Sequence, residues 1–114
     1  MKNDFRKEFI EQTIYRIDEN TKRIIKCLQE IDETEIWKTP NDNSNSVANL
    51  ILHVCGNITQ YIISALGNSS DNRERDKEFS AKRTCNKTEL INKLNFTISE
   101  ATRIIKNISE NIIY

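Results

Sequence analysis

The spacing of apolar residues is the feature of this sequence that most restricts its fold. In three segments the apolar residues recur at alternating intervals of three and four positions. This spacing places them along one stripe of an α-helix and not on alternate faces of a strand, and no segment alternates convincingly as a strand does. The pattern predicts an all-α protein, an up-down bundle with long helices at about 3–33, 46–66 and 87–113.

Each predicted helix combines an apolar stripe with polar signals near its ends. Ser44 to Ser46 supply N-cap candidates for the second helix, and Gly67 is a natural stop. Asn86 followed by Glu89 predicts a capping box for the third helix. The three predicted stripes are Ile10, Ile14, Ile17, Thr21, Ile24, Leu28 and Ile31; Val47, Ile51, Val54, Ile58, Tyr61 and Ala65; and Ile91, Leu94, Ile98, Ala101, Ile105, Ile108 and Ile112.

Two polar stretches connect these helices, "TPNDNSNS" at 39–46 and "GNSSDNRERD" at 67–76. A chain of 114 residues can build one modest core but not two. We therefore expect a single helical-bundle domain over residues 1–114. Trp37, just before the first polar stretch, is predicted to cover this core and not to stack on a ligand.

The charge balance restricts the partners of the chain. Lys plus Arg and Asp plus Glu number 17 each, so there is no basic excess to attract nucleic acid or an anionic membrane. The N-terminus "MKNDFRKEFIEQ" lacks the apolar core of a signal peptide. We also expect no apolar run near the roughly 20 residues that span a bilayer. These features predict a cytoplasmic protein with neither nucleic acid nor a membrane as partner.

Motifs for common catalytic and metal chemistry are absent from the sequence. The chain has an odd number of cysteines, which lie far apart: Cys27, Cys55 and Cys85. This favours free thiols over a disulfide framework or a zinc knuckle. The sequence contains no Ser-His-Asp set, no phosphate-binding glycine-rich loop and no nucleotide fingerprint. The strongest remaining candidate for a functional site is the single histidine, His53.

His53 lies in "NSVANLILHVCGNITQYIISALG", inside the second predicted helix. On a helical wheel it shares a flank with Leu50 and Asn57, with Asn49 and Gln60 just beyond, so this flank is predicted to line a cleft between helices. One interpretation is a partly buried imidazole that Asn57, Gln60 or a backbone carbonyl satisfies by hydrogen bonding. The other is a ligand-binding histidine. The spacing alone leaves both open.

Two motifs that follow one another along the chain resemble those of a known family. The helix motif N-S-x-x-x-L-I-x-H-x-x-G-N-x-x-Q is followed by the loop motif R-x-R-D-x-E-F, and the approach "EIWKTPNDNSNS" also fits. Together they resemble the DinB-like (DinB/YfiT) superfamily, in particular an uncharacterised bacterial subfamily. The matching positions are Asn45, Ser46, Leu50, Ile51, His53, Gly56, Asn57, Gln60, Arg73, Arg75, Asp76, Glu78 and Phe79.

The resemblance implies a four-helix bundle and, in many members, a divalent metal held by three histidines. One histidine lies on the second helix and two, as H-x-x-x-H, lie on the fourth. His53 would be the first ligand, and zinc or nickel the cofactor. This sequence has no second histidine and stops at Tyr114, so we expect the fourth helix and its ligands to be missing. If the chain ends there, it requires no metal, because one imidazole cannot hold these ions tightly.

The loop motif has a structural and a substrate-binding interpretation, and we favour the structural one. Arginine–carboxylate pairs within the loop would tie down a long connection, while the phenylalanine fills the end of the bundle. The residues predicted to act in this way are Arg73, Arg75, Asp76, Glu78 and Phe79, with Glu74 as a further carboxylate.

Two functional hypotheses follow. The first is membership of a metal-dependent enzyme lineage, which among DinB-like relatives includes thiol-dependent transferases and isomerases; the sequence indicates neither a catalytic residue nor a substrate. The second is a noncatalytic helical module for self-association or partner binding. Three helices of a four-helix pattern leave an apolar groove open, so we expect a homodimer in which a second copy fills it, by a two-fold arrangement or by exchange of the third helix.

Overall fold

The computed structural model describes residues 2–41, 44–67 and 70–111, and this part of the chain contains helices and no strand. The predicted all-α class is confirmed. Helix α4 packs against both α1 and α2, and the short α3, which lies in a stretch predicted to be loop, packs against α2. The helices are α1 (Lys2–Glu30), α2 (Val47–Gly67), α3 (Arg75–Ser80) and α4 (Lys87–Asn111).

Helix α1 ends at Glu30, earlier than the predicted end at residue 33, and a lysine from another segment binds carbonyl groups at this end. Lys87 Nζ donates to the carbonyl oxygens of Gln29 at 3.2 Å and Ile31 at 2.6 Å. In return, the Lys87 amide donates to the two carboxylate oxygens of Glu33 at 2.9 and 3.1 Å. These contacts join the C-terminal end of α1 to the N-terminal end of α4 and satisfy backbone groups that a helix end leaves unpaired.

The predicted caps at the starts of α2 and α4 are confirmed. Ser46 Oγ accepts the Asn49 amide hydrogen at 3.0 Å, and Asn49 Oδ1 accepts the Ser46 amide hydrogen at 3.2 Å. At α4, Asn86 Oδ1 accepts from the Glu89 amide at 2.8 Å, and Glu89 Oε1 accepts from the Asn86 amide at 3.1 Å. Both are reciprocal capping boxes, so each helix begins where its polar residues pair.

Helix α2 changes its winding part-way along. Its first part, Val47–Ile58, is α-helical, Thr59–Ser64 is π-helical, and Ala65–Gly67 is α-helical again. A π-helical segment bonds residue i to i+5 and so rotates the side chains that follow it relative to a regular α-helix. The buried face therefore continues at Ser64 and not at the predicted Ala65, which is exposed.

The predicted stripe of α2 is wrong at three positions: Val54, Tyr61 and Ala65 are exposed. The helix is apolar on more than one side, so spacing alone did not determine which side meets the core. The buried residues of α2 and its π-helical part are Ala48, Asn49, Ile51, Cys55 and Ser64.

The core lies where α1, α2 and α4 meet, and Trp37 packs against it as predicted. The Trp37 indole Nε1 donates to the Cys85 carbonyl at 2.9 Å, so its polar atom is satisfied. On α4, none of the predicted stripe residues up to Ile108 is exposed, and Ile112 lies outside the described residues. The buried core cluster is Leu28, Ala48, Ile51, Cys55, Leu90 and Leu94.

The expectation that no apolar run could span a bilayer is wrong for α2. This helix, 21 residues long, is long and apolar enough to cross a membrane by length and composition. A core helix of a water-soluble protein meets the same test, and α2 packs against α3 and α4 in the bundle. One such helix is therefore weak evidence for a membrane span.

The bundle is extended, with dimensions of 52 × 29 × 22 Å. Its radius of gyration is 16.2 Å, against about 13 Å for a compact domain of this length. Its accessible surface is 8385 Å², against about 6,400 Å² for a compact monomer of this mass. The helices thus leave more surface in water than a closed bundle does.

Candidate functional site

Arg73 is the centre of a side-chain cluster between α2 and the loop that carries α3. Its Nε donates to Glu78 Oε2 and its Nη2 to Glu78 Oε1, each at 3.1 Å, which makes a two-point ion pair. Its Nη1 donates to Gln60 Oε1 at 2.8 Å. The side chains of Arg73 and Glu78 are only 7% and 12% exposed. The hydrogen bonds that Arg73 donates to Glu78 raise the pKa of Arg73 above its usual range, so the guanidinium stays charged.

Gly56 lies directly under this ion pair. A Cβ atom built on Gly56 would be 1.7 Å from Glu78 Oε2 and 3.0 Å from Arg73 Nε. Glycine inside a helix normally weakens it, so this position is explained by the close approach of the carboxylate to the α2 backbone. We call His53, Gly56, Gln60, Arg73 and Glu78 the Arg73 cluster.

His53 joins the cluster through Nδ1, which lies 3.1 Å from Arg73 Nη2 and 3.4 Å from Glu78 Oε1. Its ring packs on Phe79, with centroids 4.8 Å apart and planes inclined by 33°. A guanidinium group has only donors, so the shorter contact requires a lone pair on Nδ1. We therefore assign the hydrogen of the neutral ring to Nε2.

The histidine partners differ from those predicted. Asn57, Gln60 or a backbone carbonyl was the predicted partner of a structural imidazole, but the contacts of Nδ1 are with Arg73 and Glu78. Gln60 is half-buried and uses its side-chain oxygen for Arg73. Asn57 is exposed, and its side chain forms no hydrogen bond within the described part of the chain.

Asn49, the third residue predicted to line the cleft, is buried beneath the loop. Its Nδ2 donates to the backbone carbonyls of Glu78 and Ala81, at 2.9 Å each. Its Oδ1 accepts two hydrogen bonds from Ser46, one from the amide and one, at 2.7 Å, from the hydroxyl. One side chain therefore caps α2 and fastens the end of α3 to it.

The loop arginines have different roles. The predicted pairing with Glu78 is found for Arg73, whereas Arg75 forms no ion pair among the described residues and lies 6.0 Å from the centre of the Phe79 ring. Asp76 is exposed in the first turn of α3. Phe79 is partly buried against the imidazole. Arg73 is thus the arginine that ties the loop to α2.

The described residues do not fit a divalent metal site. They contain no group of three His, Cys, Asp or Glu side chains close enough to share an ion. The Arg73 guanidinium lies against His53 Nδ1 and engages both oxygens of Glu78, which places a fixed positive charge where a metal would need donors. The described residues bring too few donor atoms together for a metal ion. The two side chains that could contribute here, those of His53 and Glu78, already contact the Arg73 guanidinium.

A family model described as "Protein of unknown function (DUF1572)" matches residues 4–113 of the chain. The chain belongs to the DUF1572 family. Comparisons with curated proteins and with solved structures give no match. The DUF1572 match covers α1, α2, α3 and α4, so the Arg73 cluster lies wholly within the matched region.

For this DUF1572 chain, Arg73→Ala is expected to loosen the loop and α3, because it removes the two contacts to Gln60 and His53 on α2 and the two hydrogen bonds to Glu78 on α3. Hydrogen exchange of the amides at 71–80 should speed up roughly tenfold or more. Arg75→Ala is the matched control, since Arg75 lies in the same segment without an ion pair, and it should leave exchange within about twofold of wild type. Equal effects of the two substitutions would remove the special role of Arg73.

Proposed function

We propose that this chain is a DinB-like helical module that acts by self-association, as a homodimer. The DinB-like relationship is supported by the two sequence motifs and by the DUF1572 match. The observation that carries the proposal is an apolar stripe on the outer side of α2. Leu50, Val54 and Tyr61 are 49%, 37% and 62% exposed, and we call these three residues the outer stripe.

The amount of exposed surface supports a second copy as the occupant of the outer stripe. The accessible surface of 8385 Å² exceeds that of a compact monomer by roughly 2,000 Å². Each partner in a standard protein interface buries about 800 Å². The excess is therefore large enough for a stable interface. The net charge of zero removes overall repulsion between copies.

A two-fold arrangement fits a stripe on a single helix. In a two-fold interface the same patch of both copies packs against itself, so each residue of the outer stripe would meet a counterpart in the partner. An apolar patch of this kind gains free energy when it leaves water. The bundle of each copy stays intact in this arrangement, and the Arg73 cluster holds α3 against α2 on each.

Val54→Lys places a charge at the middle of the outer stripe and is expected to weaken dimer formation by roughly 100-fold, because an unpaired charge would be buried. Phe9→Lys is the matched control, since Phe9 is also exposed but lies on α1. Sedimentation equilibrium at micromolar concentrations measures both dissociation constants. A monomeric wild type, or equal weakening by the two substitutions, would refute dimer formation through the outer stripe.

A metal-dependent enzyme lineage is the second candidate. Glu78 Oε1 lies 3.4 Å from His53 Nδ1, and metal-binding histidines commonly donate their second ring N–H to a carboxylate. This candidate requires the hydrogen on Nδ1, whereas the contact with Arg73 requires it on Nε2. It also predicts that the purified chain holds zinc or nickel through His53. A cytoplasmic location and the lack of a nucleic-acid partner stay predictions from the sequence.

A further inference from the structure

A cleft of about 570 Å³ lies between α2, the loop with α3, and α4. Its volume falls in the range of small-molecule sites, which is about 300–1,000 Å³. Leu52, Cys55 and Phe96 supply apolar walls, and His53 is not among the lining residues. Phe96 is 67% exposed, so one aromatic ring is open to contact from the cleft. This cleft is distinct from the outer stripe of α2.

The charges around the cleft do not cancel. Among the described residues, five charged side chains line it, and four of them form two ion pairs, Arg73 with Glu78 and Lys77 with Glu74. Lys93 is the fifth and forms no ion pair within the described part of the chain. The cleft therefore carries one uncompensated positive charge beside an apolar wall.

Lys93 and Thr97 line the α4 side of the cleft. Thr97 Oγ1 donates to the Lys93 carbonyl at 2.8 Å, one turn back on α4. Burial raises the pKa of the Cys55 thiol above its usual value, and the smaller effects of Thr97 and of the Lys93 charge, which lower it, do not cancel this. Lys93, on α4, and Cys55, on α2, both line the cleft.

We propose that the cleft binds a small amphipathic monoanion. Its anionic group, a carboxylate or sulfonate, pairs with Lys93, and its apolar body lies between Phe96 and Leu52. A single charge matches the single uncompensated lysine, and an aromatic or branched body matches the apolar walls. This site does not depend on self-association, because it lies on a different side of α2 from the outer stripe.

The test uses 8-anilinonaphthalene-1-sulfonate, an aromatic monoanion that fluoresces when it leaves water. Lys93→Met is expected to weaken its binding about fivefold, the scale of one partly exposed ion pair. Phe96→Ala is expected to weaken it about tenfold through lost aromatic contact. Lys93 and Phe96 are exposed, so both variants keep the fold. The matched controls on α1, Lys26→Met and Phe9→Ala, should bind as wild type does.

Two further binding measurements test whether the charge of the probe matters and whether the probe binds at the outer stripe instead. N-phenyl-1-naphthylamine, which is neutral, should bind wild type and Lys93→Met equally. Tyr61→Ser, in the outer stripe, should leave sulfonate binding unchanged. The site is disproved if the α1 controls weaken binding as much as the cleft variants do, if Tyr61→Ser abolishes it, or if wild type does not bind the probe.

Discussion

Gly56→Ala is expected to lower the free energy of unfolding by about 2 kcal/mol, although alanine is the better helix former. In an exposed helix interior, replacing glycine with alanine would raise the free energy of unfolding by about 1 kcal/mol. Here the added methyl group would lie 1.7 Å from Glu78 Oε2, and overpacking of this kind costs about 3 kcal/mol. Glu78 cannot rotate away without leaving Arg73, so the collision cannot be relieved at no cost.

Gly67→Ala is the control for this prediction. A Cβ atom at Gly67 would meet Ile104 Cδ1 at 2.7 Å, and this atom is the free end of a flexible side chain. The substitution should change stability by less than about 1 kcal/mol. Urea unfolding followed by circular dichroism measures both variants. If Gly56→Ala were as stable as wild type, the carboxylate could not lie against the helix backbone as described.

Replacing Asn49 is expected to lower the free energy of unfolding by about 2–3 kcal/mol, because buried polar groups would lose their partners. Asn49→Ala removes the donor to the carbonyls of Glu78 and Ala81 and the acceptor for Ser46. Asn49→Asp keeps the acceptor but places an oxygen where the amide now donates at 2.9 Å to two carbonyl oxygens. The aspartate should therefore destabilise at least as much as the alanine.

Asn57 provides matched substitutions on the same helix. It is exposed and its side chain has no hydrogen bond within the described part of the chain, so Asn57→Ala and Asn57→Asp should each change stability by less than about 0.5 kcal/mol. Thermal or urea unfolding compares the four variants. A well-tolerated Asn49→Asp would show that capping of α2 is the whole contribution of Asn49 and that the loop is held in another way.

Much of the fold was predictable because it depends on local sequence. The spacing of apolar residues gave the three long helices, and the caps at Ser46 and Asn86 depend on residues three positions away. The contacts of Lys87 at the end of α1 were not predictable, since they join two segments that are distant in sequence. The buried side of α2 was also not predictable, because that helix is apolar on several sides and contains a π-helical segment.

The sequence predicted which residues form the candidate site better than it predicted which of them contact one another. The pairing of Arg73 with Glu78 is local, and the sequence indicated it. The contact between Arg73 and His53 crosses 20 positions and depends on how the loop folds back onto α2. Gly56 appeared in the sequence only as part of a motif. Its role became clear from the position of the Glu78 carboxylate, which no spacing rule provides.

Native mass spectrometry of the purified chain tests most directly whether this protein is a self-associating module without a metal site. One spectrum gives both the number of copies and any bound metal. Our account predicts a dimer of 13.3 kDa chains with no zinc or nickel, and His53→Ala should leave the spectrum unchanged apart from the mass of the substitution. A folded monomer, or a metal ion that is lost in His53→Ala, would contradict it.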